Sequence, residues 1–112
     1  MEFHTKQVND VSILTLTGSI DAFTAPRITE LIEIQITSGI TKLVADLKGV
    51  DYTSSAGLRA LLGGIKATRS RGGDLRLVAV QPDVLKVLNM SGFTNILQLF
   101  DTINSALNSF IA

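Results

Sequence analysis

Residues 42–65 read KLVADLKGVDYTSSAGLRALLGGI. The stretch opens with a short apolar run, 42–47, which is typical of a strand at the centre of a sheet. It closes with apolar residues at i, i+3, i+4 and i+7, the spacing of one helix face: Leu58, Leu61, Leu62 and Ile65. A loop is predicted between them, from Gly49 to Ser54. A buried strand that leads into an amphipathic helix is the repeating unit of α/β sheets.

The chain on either side of this stretch continues the alternation. Further strands are predicted at 2–8, 11–17, 75–80 and 96–100, with Asn9-Asp10 joining the first two as a hairpin. Further helices are predicted from N-cap Thr24 to Gly39, from Gln81 to Gly92, and from N-cap Asp101 onward. The order predicts a single α/β domain over residues 1–112, with a mixed central sheet and about four α-helices.

Composition excludes several classes of protein. Hydrophobic residues make up 46%, and ten basic residues balance ten acidic ones, so neither disorder nor binding of nucleic acid is predicted. The absence of cysteine excludes disulfides, thiol catalysis and thiolate metal sites. No apolar run approaches the roughly 20 residues that span a bilayer, and the first residues lack the pattern of a secretory signal. The sequence therefore predicts a cytoplasmic protein without a membrane partner.

Polar residues gather at two predicted strand ends, where α/β domains place their sites. Thr53, Ser54 and Ser55 precede the second helix, and Asp21 lies between the second strand and the first helix. One of the two serines is predicted to be the helix N-cap, an interaction worth about 1 kcal/mol. A second hydroxyl exceeds what a cap requires, and the small residues after it leave the approach open to a partner or a kinase. Both interpretations can hold together.

Enzymatic chemistry is not predicted. A serine nucleophile needs a neighbouring base, and the single histidine, His4, lies on the first strand. The sequence contains neither Gly-X-Ser-X-Gly nor a glycine-rich phosphate loop. Asp21, Asp46 and Asp51 have no histidine to support a metal site. We therefore predict no catalytic residue, no metal and no cofactor.

A family resemblance covers nearly the whole chain. Residues 46–58, with 18–22, 72–75, 84–88 and 91–93, resemble stand-alone STAS domains that act as bacterial anti-sigma factor antagonists. The family motif reads Asp-Ser-Ser/Thr-Gly, and its first serine is phosphorylated. Aligned on Gly57, the acceptor is Ser55, while Ser54 replaces the aspartate and Ala56 the second hydroxyl. Ser54 is the less favoured acceptor.

The resemblance implies a partner switch. The unphosphorylated chain binds an anti-sigma factor that is also a serine kinase and supplies ATP and magnesium; phosphorylation of Ser55 releases it, and a PP2C-type phosphatase resets the chain. The implied partner surface comprises Asp21, Asp51, Thr53, Ser54, Ser55, Ala56, Gly57 and Arg59. Arg59 could partly screen the phosphate, but a solvated helix residue is the favoured interpretation of it.

Two other interpretations stay open. One is a STAS scaffold that binds a protein partner or small ligand without phosphorylation, and the other is an unrelated small enzyme. Phe93, Ile96 and Phe110 are predicted to belong to the core, with an interface as the alternative.

Overall fold

The computed structural model describes residues 1–92 and 96–111. Within these residues the chain forms five strands and four helices that alternate as the sequence predicts. The strands are β1 (Glu2–Val8), β2 (Val11–Ile20), β3 (Lys42–Thr53), β4 (Asp74–Val78) and β5 (Leu99–Phe100). The helices are α1 (Ala25–Thr37), α2 (Ser55–Arg69), α3 (Pro82–Met90) and α4 (Ile103–Ser109).

The strands of the described residues form one mixed sheet, in the order β1-β2-β3-β4-β5. β1 and β2 are the predicted antiparallel hairpin, with Val8 opposite Val11. The pairs β2–β3, β3–β4 and β4–β5 are parallel, and a helix connects the strands of each pair. The mixed α/β sheet predicted from the sequence is confirmed.

Helices cover the two faces of the sheet unequally. On one face, buried residues of α1, α2 and α3 pack on alternate residues of the strands; Ile32, Leu61 and Leu88 represent the three helices. On the other face, α4 alone packs through Ala106 against Val44 and its neighbours. Burial of these apolar side chains is the main term that stabilises the domain.

Strand ends differ from the prediction in four strands, the first of which is β2, predicted over 11–17 and observed to Ile20. β3 continues through most of the loop predicted from Gly49 to Ser54 and ends at Thr53, because two irregularities in its register with β2 keep the strands paired to their ends. β4 stops at Val78 because Ala79 takes φ 54°, which a strand cannot contain. β5 pairs with β4 only at Leu99 and Phe100, which is shorter than predicted.

Two predicted helix caps also differ. Asp101 is not the N-cap of α4: that residue is Thr102, whose extended backbone lets its Oγ1 accept from the N–H of Ser105 at 3.1 Å. Thr24 occupies the N-cap position of α1, but its side chain makes no capping bond to the helix. Its Oγ1 instead accepts from the N–H of Asp21 at 2.9 Å.

Two of the three hydrophobic residues whose role was left open pack against the core. Ile96 is partly buried against the larger core cluster, and Phe110 against the smaller one. The Arg76 guanidinium lies 4.0 Å from the centre of the Phe110 ring. Phe93 lies outside the described residues.

A buried carboxylate links two arginines at the amino end of strand β4. Asp74, at the start of β4, accepts from Arg69 Nε at 2.9 Å and from Arg76 Nε at 3.0 Å. Arg69 also donates to the carbonyl of Ile96 at 2.6 Å. This network fixes the end of α2 to β4 and to the segment after α3, at the opposite end of the sheet from the serines.

Candidate functional site

The carboxyl ends of β2 and β3 bring the two predicted polar segments together. Ile20 and Thr53 are partners in the parallel register, and the N–H of Ser54 donates to the carbonyl of Ile20 at 2.8 Å. The Asp21 loop therefore lies beside the first turn of α2. The sequence predicted each segment separately, and the structure makes them neighbours.

Gly57 permits this close approach. A Cβ at this position would lie well under 3.0 Å from the Ile20 side chain and from Thr53 Oγ1, closer than real Cβ contacts come. Any larger residue would push the start of α2 away from the sheet. Gly57 thus sets how closely the helix and its serines approach the strand ends.

The two serines have different roles. Ser54 is the N-cap of α2, with an extended backbone, and its Oγ accepts from the N–H of Gly57 at 3.2 Å. Ser55 is the first residue of the helix and is exposed. Its hydroxyl has no hydrogen-bond partner within the described part of the chain. The expectation that one serine caps the helix is confirmed for Ser54.

Asp21 organises the neighbouring loop. Its Oδ1 accepts from the N–H groups of Phe23 and Thr24, both at 2.9 Å. The backbone hydrogen bond from Thr24, followed by that from Phe23, holds the pKa of the Asp21 carboxyl below its ordinary value. Hydrogen bonds to the ionised form favour that form, so the carboxylate is charged at neutral pH and braces the loop.

The remaining predicted surface residues divide into exposed and buried groups. Asp51 is exposed and accepts from Ser19 Oγ at 2.9 Å. Arg59 is also exposed, and it has no ion pair among the described residues. Thr53 is only 1% exposed, with its hydroxyl donating to the carbonyl of Ser54 at 3.1 Å. Thr53 and the buried Gly57 therefore support the surface from beneath, while Ala56 is partly exposed on it.

The N-terminal halves of α1 and α2 share a shallow, open depression with a mostly apolar lining. The residues that line it are Ala25, Pro26, Thr29, Ala56, Arg59, Ala60 and Gly63. Because the small side chains leave its floor wide and flat, the depression resembles a docking surface more than an enclosing ligand pocket.

Two exposed aromatic residues at this end of the sheet were missed from the sequence. Phe23 is 89% exposed and Tyr52 is 52% exposed. Phe23 stands between the predicted strand and helix, and Tyr52 stands next to the serines. An aromatic residue is usually assigned to the core, and alternation does not reveal which ones a loop leaves in solvent.

Residues 1–92 and 96–111 offer neither a metal cluster nor a membrane-spanning helix. No three His, Asp or Glu side chains come together in a way that could hold a metal ion. None of the helices there combines the length and apolarity needed to cross a membrane.

The sequence was compared with those of known protein families. The family profile of the STAS domain matches residues 2–106. The chain belongs to the STAS domain family. This STAS domain is 30% identical over 112 residues to the anti-sigma F factor antagonist of Paenibacillus polymyxa, covering 96% of this chain and 89% of that protein.

Solved structures agree with that assignment. An anti-sigma factor antagonist from Mycobacterium paratuberculosis superposes with a TM-score of 0.86 at 25% identity, covering 96% of this chain and 92% of that one. The Bacillus cell fate determinant SpoIIAA in its phosphorylated form gives a TM-score of 0.75 at 21% identity, covering 96% and 98%. The SpoIIAA likeness shows the shared fold alone.

Proposed function

We propose that this STAS domain is an anti-sigma factor antagonist whose binding to an anti-sigma factor with serine kinase activity is switched off by phosphorylation of Ser55. One observation carries the proposal: Ser55, the first residue of α2, is exposed and its hydroxyl is unpaired among the described residues, while its neighbour Ser54 takes the capping role. A kinase can modify such a hydroxyl without breaking an internal hydrogen bond. The names of the similar proteins support the choice of partner.

The charge added by phosphorylation is easily accommodated by the isolated domain. A phosphoserine carries about −1.5 to −2 charge at pH 7. The N-terminus of a helix carries partial positive charge and favours an anion there. The first turn of α2 contains no acidic residue to oppose it. Phosphorylation is therefore expected to leave the fold intact.

The cost falls on the complex. A doubly charged group buried in a close interface must lose its water or meet a cation. A loss of about 3 kcal/mol weakens binding more than a hundredfold. Arg59, exposed one turn into α2, is the nearest cation along the helix, and without an ion pair among the described residues it is available to either the phosphate or the partner. Phosphorylation then weakens binding by changing the charge of the partner surface, without a change of fold.

A PP2C-type phosphatase removes the phosphate and restores binding. The domain performs no catalysis of its own and acts in the cytoplasm, and the kinase supplies the ATP and magnesium.

Intact mass spectrometry tests the proposal. The chain is incubated with ATP, magnesium and each kinase of the anti-sigma type encoded in the same genome, as wild type, Ser55→Ala and Ser54→Ala. We expect one added phosphate in the wild type and in Ser54→Ala, and none in Ser55→Ala. A kinase that binds the chain but never modifies it would refute the phosphorylation switch and favour a STAS scaffold that binds without modification.

A further inference from the structure

Phe23 is the most exposed large apolar side chain in the described residues. It lies between β2 and α1 and is 89% exposed. Single exposed apolar residues are ordinary on protein surfaces, so exposure alone assigns no role to it. Two further observations, concerning its backbone and its position, separate Phe23 from the others.

The backbone that carries Phe23 is fixed. Its N–H donates to Asp21 Oδ1, and so does the N–H of the next residue, Thr24, both at 2.9 Å. Thr24 Oγ1 in turn accepts from the N–H of Asp21 at 2.9 Å. An aromatic side chain on a loop that is already ordered loses little conformational freedom when a partner binds it.

Phe23 also lies at the proposed partner surface. It precedes the N-cap of α1, and the first turn of that helix lines the same shallow depression as Ala56 and Arg59 of α2. Tyr52, the second exposed aromatic, is the penultimate residue of the neighbouring strand β3, two positions before Ser54. Aromatic residues are enriched at the centres of protein interfaces and often supply most of the binding energy.

We propose that Phe23 is the anchor of the complex, and that it inserts into an apolar pocket on the anti-sigma factor kinase. This inference rests on the proposed function and names the residue that supplies its affinity. Affinity and control then reside in different residues: Phe23 holds the partner, and Ser55 releases it. The kinase is the expected occupant because the loop that carries Phe23 follows Ile20, whose carbonyl accepts from the N–H of Ser54 beside the proposed acceptor.

Binding measurements with purified kinase test the anchor. The kinase is loaded with ADP, which cannot donate a phosphate, and its dissociation constant is measured for the wild type, Phe23→Ala and Phe23→Tyr. Truncation of a dominant interface residue is expected to weaken binding about 30-fold or more, mainly through faster dissociation. Phe23→Tyr keeps the ring and is expected to bind within about threefold of the wild type.

Met90 provides the matched control. It is 83% exposed, and it ends α3, which runs from the carboxyl end of the sheet to the amino end, away from the serines. Met90→Ala therefore removes a similarly exposed apolar side chain from the opposite end of the domain. It is expected to leave the dissociation constant unchanged, and thermal unfolding of Phe23→Ala is expected to match the wild type.

The outcomes separate this inference from the proposed function. Equal binding by wild type and Phe23→Ala overturns the anchor and leaves the proposed function standing. If the wild type binds none of the anti-sigma kinases, the proposed function is overturned and the anchor with it. A wild-type dimer, seen by light scattering, that Phe23→Ala dissociates would assign the side chain to self-association and overturn the anchor.

Discussion

Replacing Ser54 by alanine is expected to lower the stability of the domain, whereas replacing Ser55 is expected to abolish phosphorylation and leave the stability unchanged. The Ser54 hydroxyl accepts from the N–H of Gly57, whereas the Ser55 hydroxyl bonds to none of the described residues. Ser54→Ala therefore leaves one more N–H at the start of the helix unpaired. Ser55→Ala removes an exposed group at no cost to the fold.

The expected magnitude follows from the geometry of the cap. Loss of an N-cap costs about 0.5–2 kcal/mol, and the 3.2 Å Oγ–N distance lies at the long end of the hydrogen-bond range. We therefore expect about 0.5–1 kcal/mol for Ser54→Ala. Because the entropy of unfolding scales with chain length, this corresponds to a fall of about 2–4 °C in Tm for 112 residues. Ser55→Ala is expected to stay within about 1 °C of the wild type.

Calorimetry measures the stabilities, and Ser54→Asp is the matched control. Aspartate is as good an N-cap as serine, so Ser54→Asp is expected to retain the Tm of the wild type. In kinase assays on the same proteins, only Ser55→Ala is expected to remain unphosphorylated. A Tm loss in Ser55→Ala as large as that in Ser54→Ala would refute the division of roles between the two hydroxyls.

Three further predictions concern the close approach at Gly57, the Asp74 network and the Asp21 carboxyl. Gly57→Ala is expected to lower the free energy of unfolding, measured in urea, by about 1–3 kcal/mol through overpacking. Gly63→Ala, in the same helix but with nothing within 4 Å of the added Cβ, is the control and is expected to raise it by about 0.5–1 kcal/mol. Equal effects of the two substitutions would contradict the close approach at Gly57. Asp74→Asn is expected to lower the free energy of unfolding by about 2 kcal/mol, because two arginines lose a charged acceptor. An unchanged urea midpoint would show that this ion-pair network adds nothing to stability. Two backbone N–H groups lower the pKa of the Asp21 carboxyl. The stability that the ionised carboxyl contributes is therefore complete above the unfolded-state pKa of about 3.9 and is lost as pH falls through the lower folded-state pKa. An NMR titration of this carboxyl with a midpoint at or above about 3.9 would contradict the lowered pKa.

Most of the fold follows from residue patterns that one strand or helix contains by itself. The i, i+3, i+4, i+7 spacing in residues 58–65 is enough to predict α2, and the apolar run at 42–47 is enough to predict the start of β3. The continuation of β3 to Thr53 depends on irregularities in the register of β2, which no local pattern of β3 encodes. Likewise, Asp101 and Thr102 are both good capping residues, and only the backbone angles select Thr102.

The candidate site was predictable in its position and only partly in its roles. Adjacent hydroxyls before a helix identify residues 53–55, but the assignment of the cap to Ser54 needed the hydrogen bond to Gly57. Asp21 was expected at a partner surface, and the structure shows that its carboxylate also braces the loop. The exposure of Phe23 could not be read from the sequence, because it depends on where the loop points the side chain.

The order of the strands has a consequence for how the chain folds during synthesis. Each strand of the described sheet pairs with the strand that precedes it in the chain, so each newly made segment can add to a sheet edge that already exists. Contacts between neighbouring segments close short loops and form quickly. The face that α4 covers is the exception, since Val44 and Val78 await a helix that begins only at Ile103. Until α4 has left the ribosome and packed, this apolar face is the part of the nascent domain most exposed to aggregation.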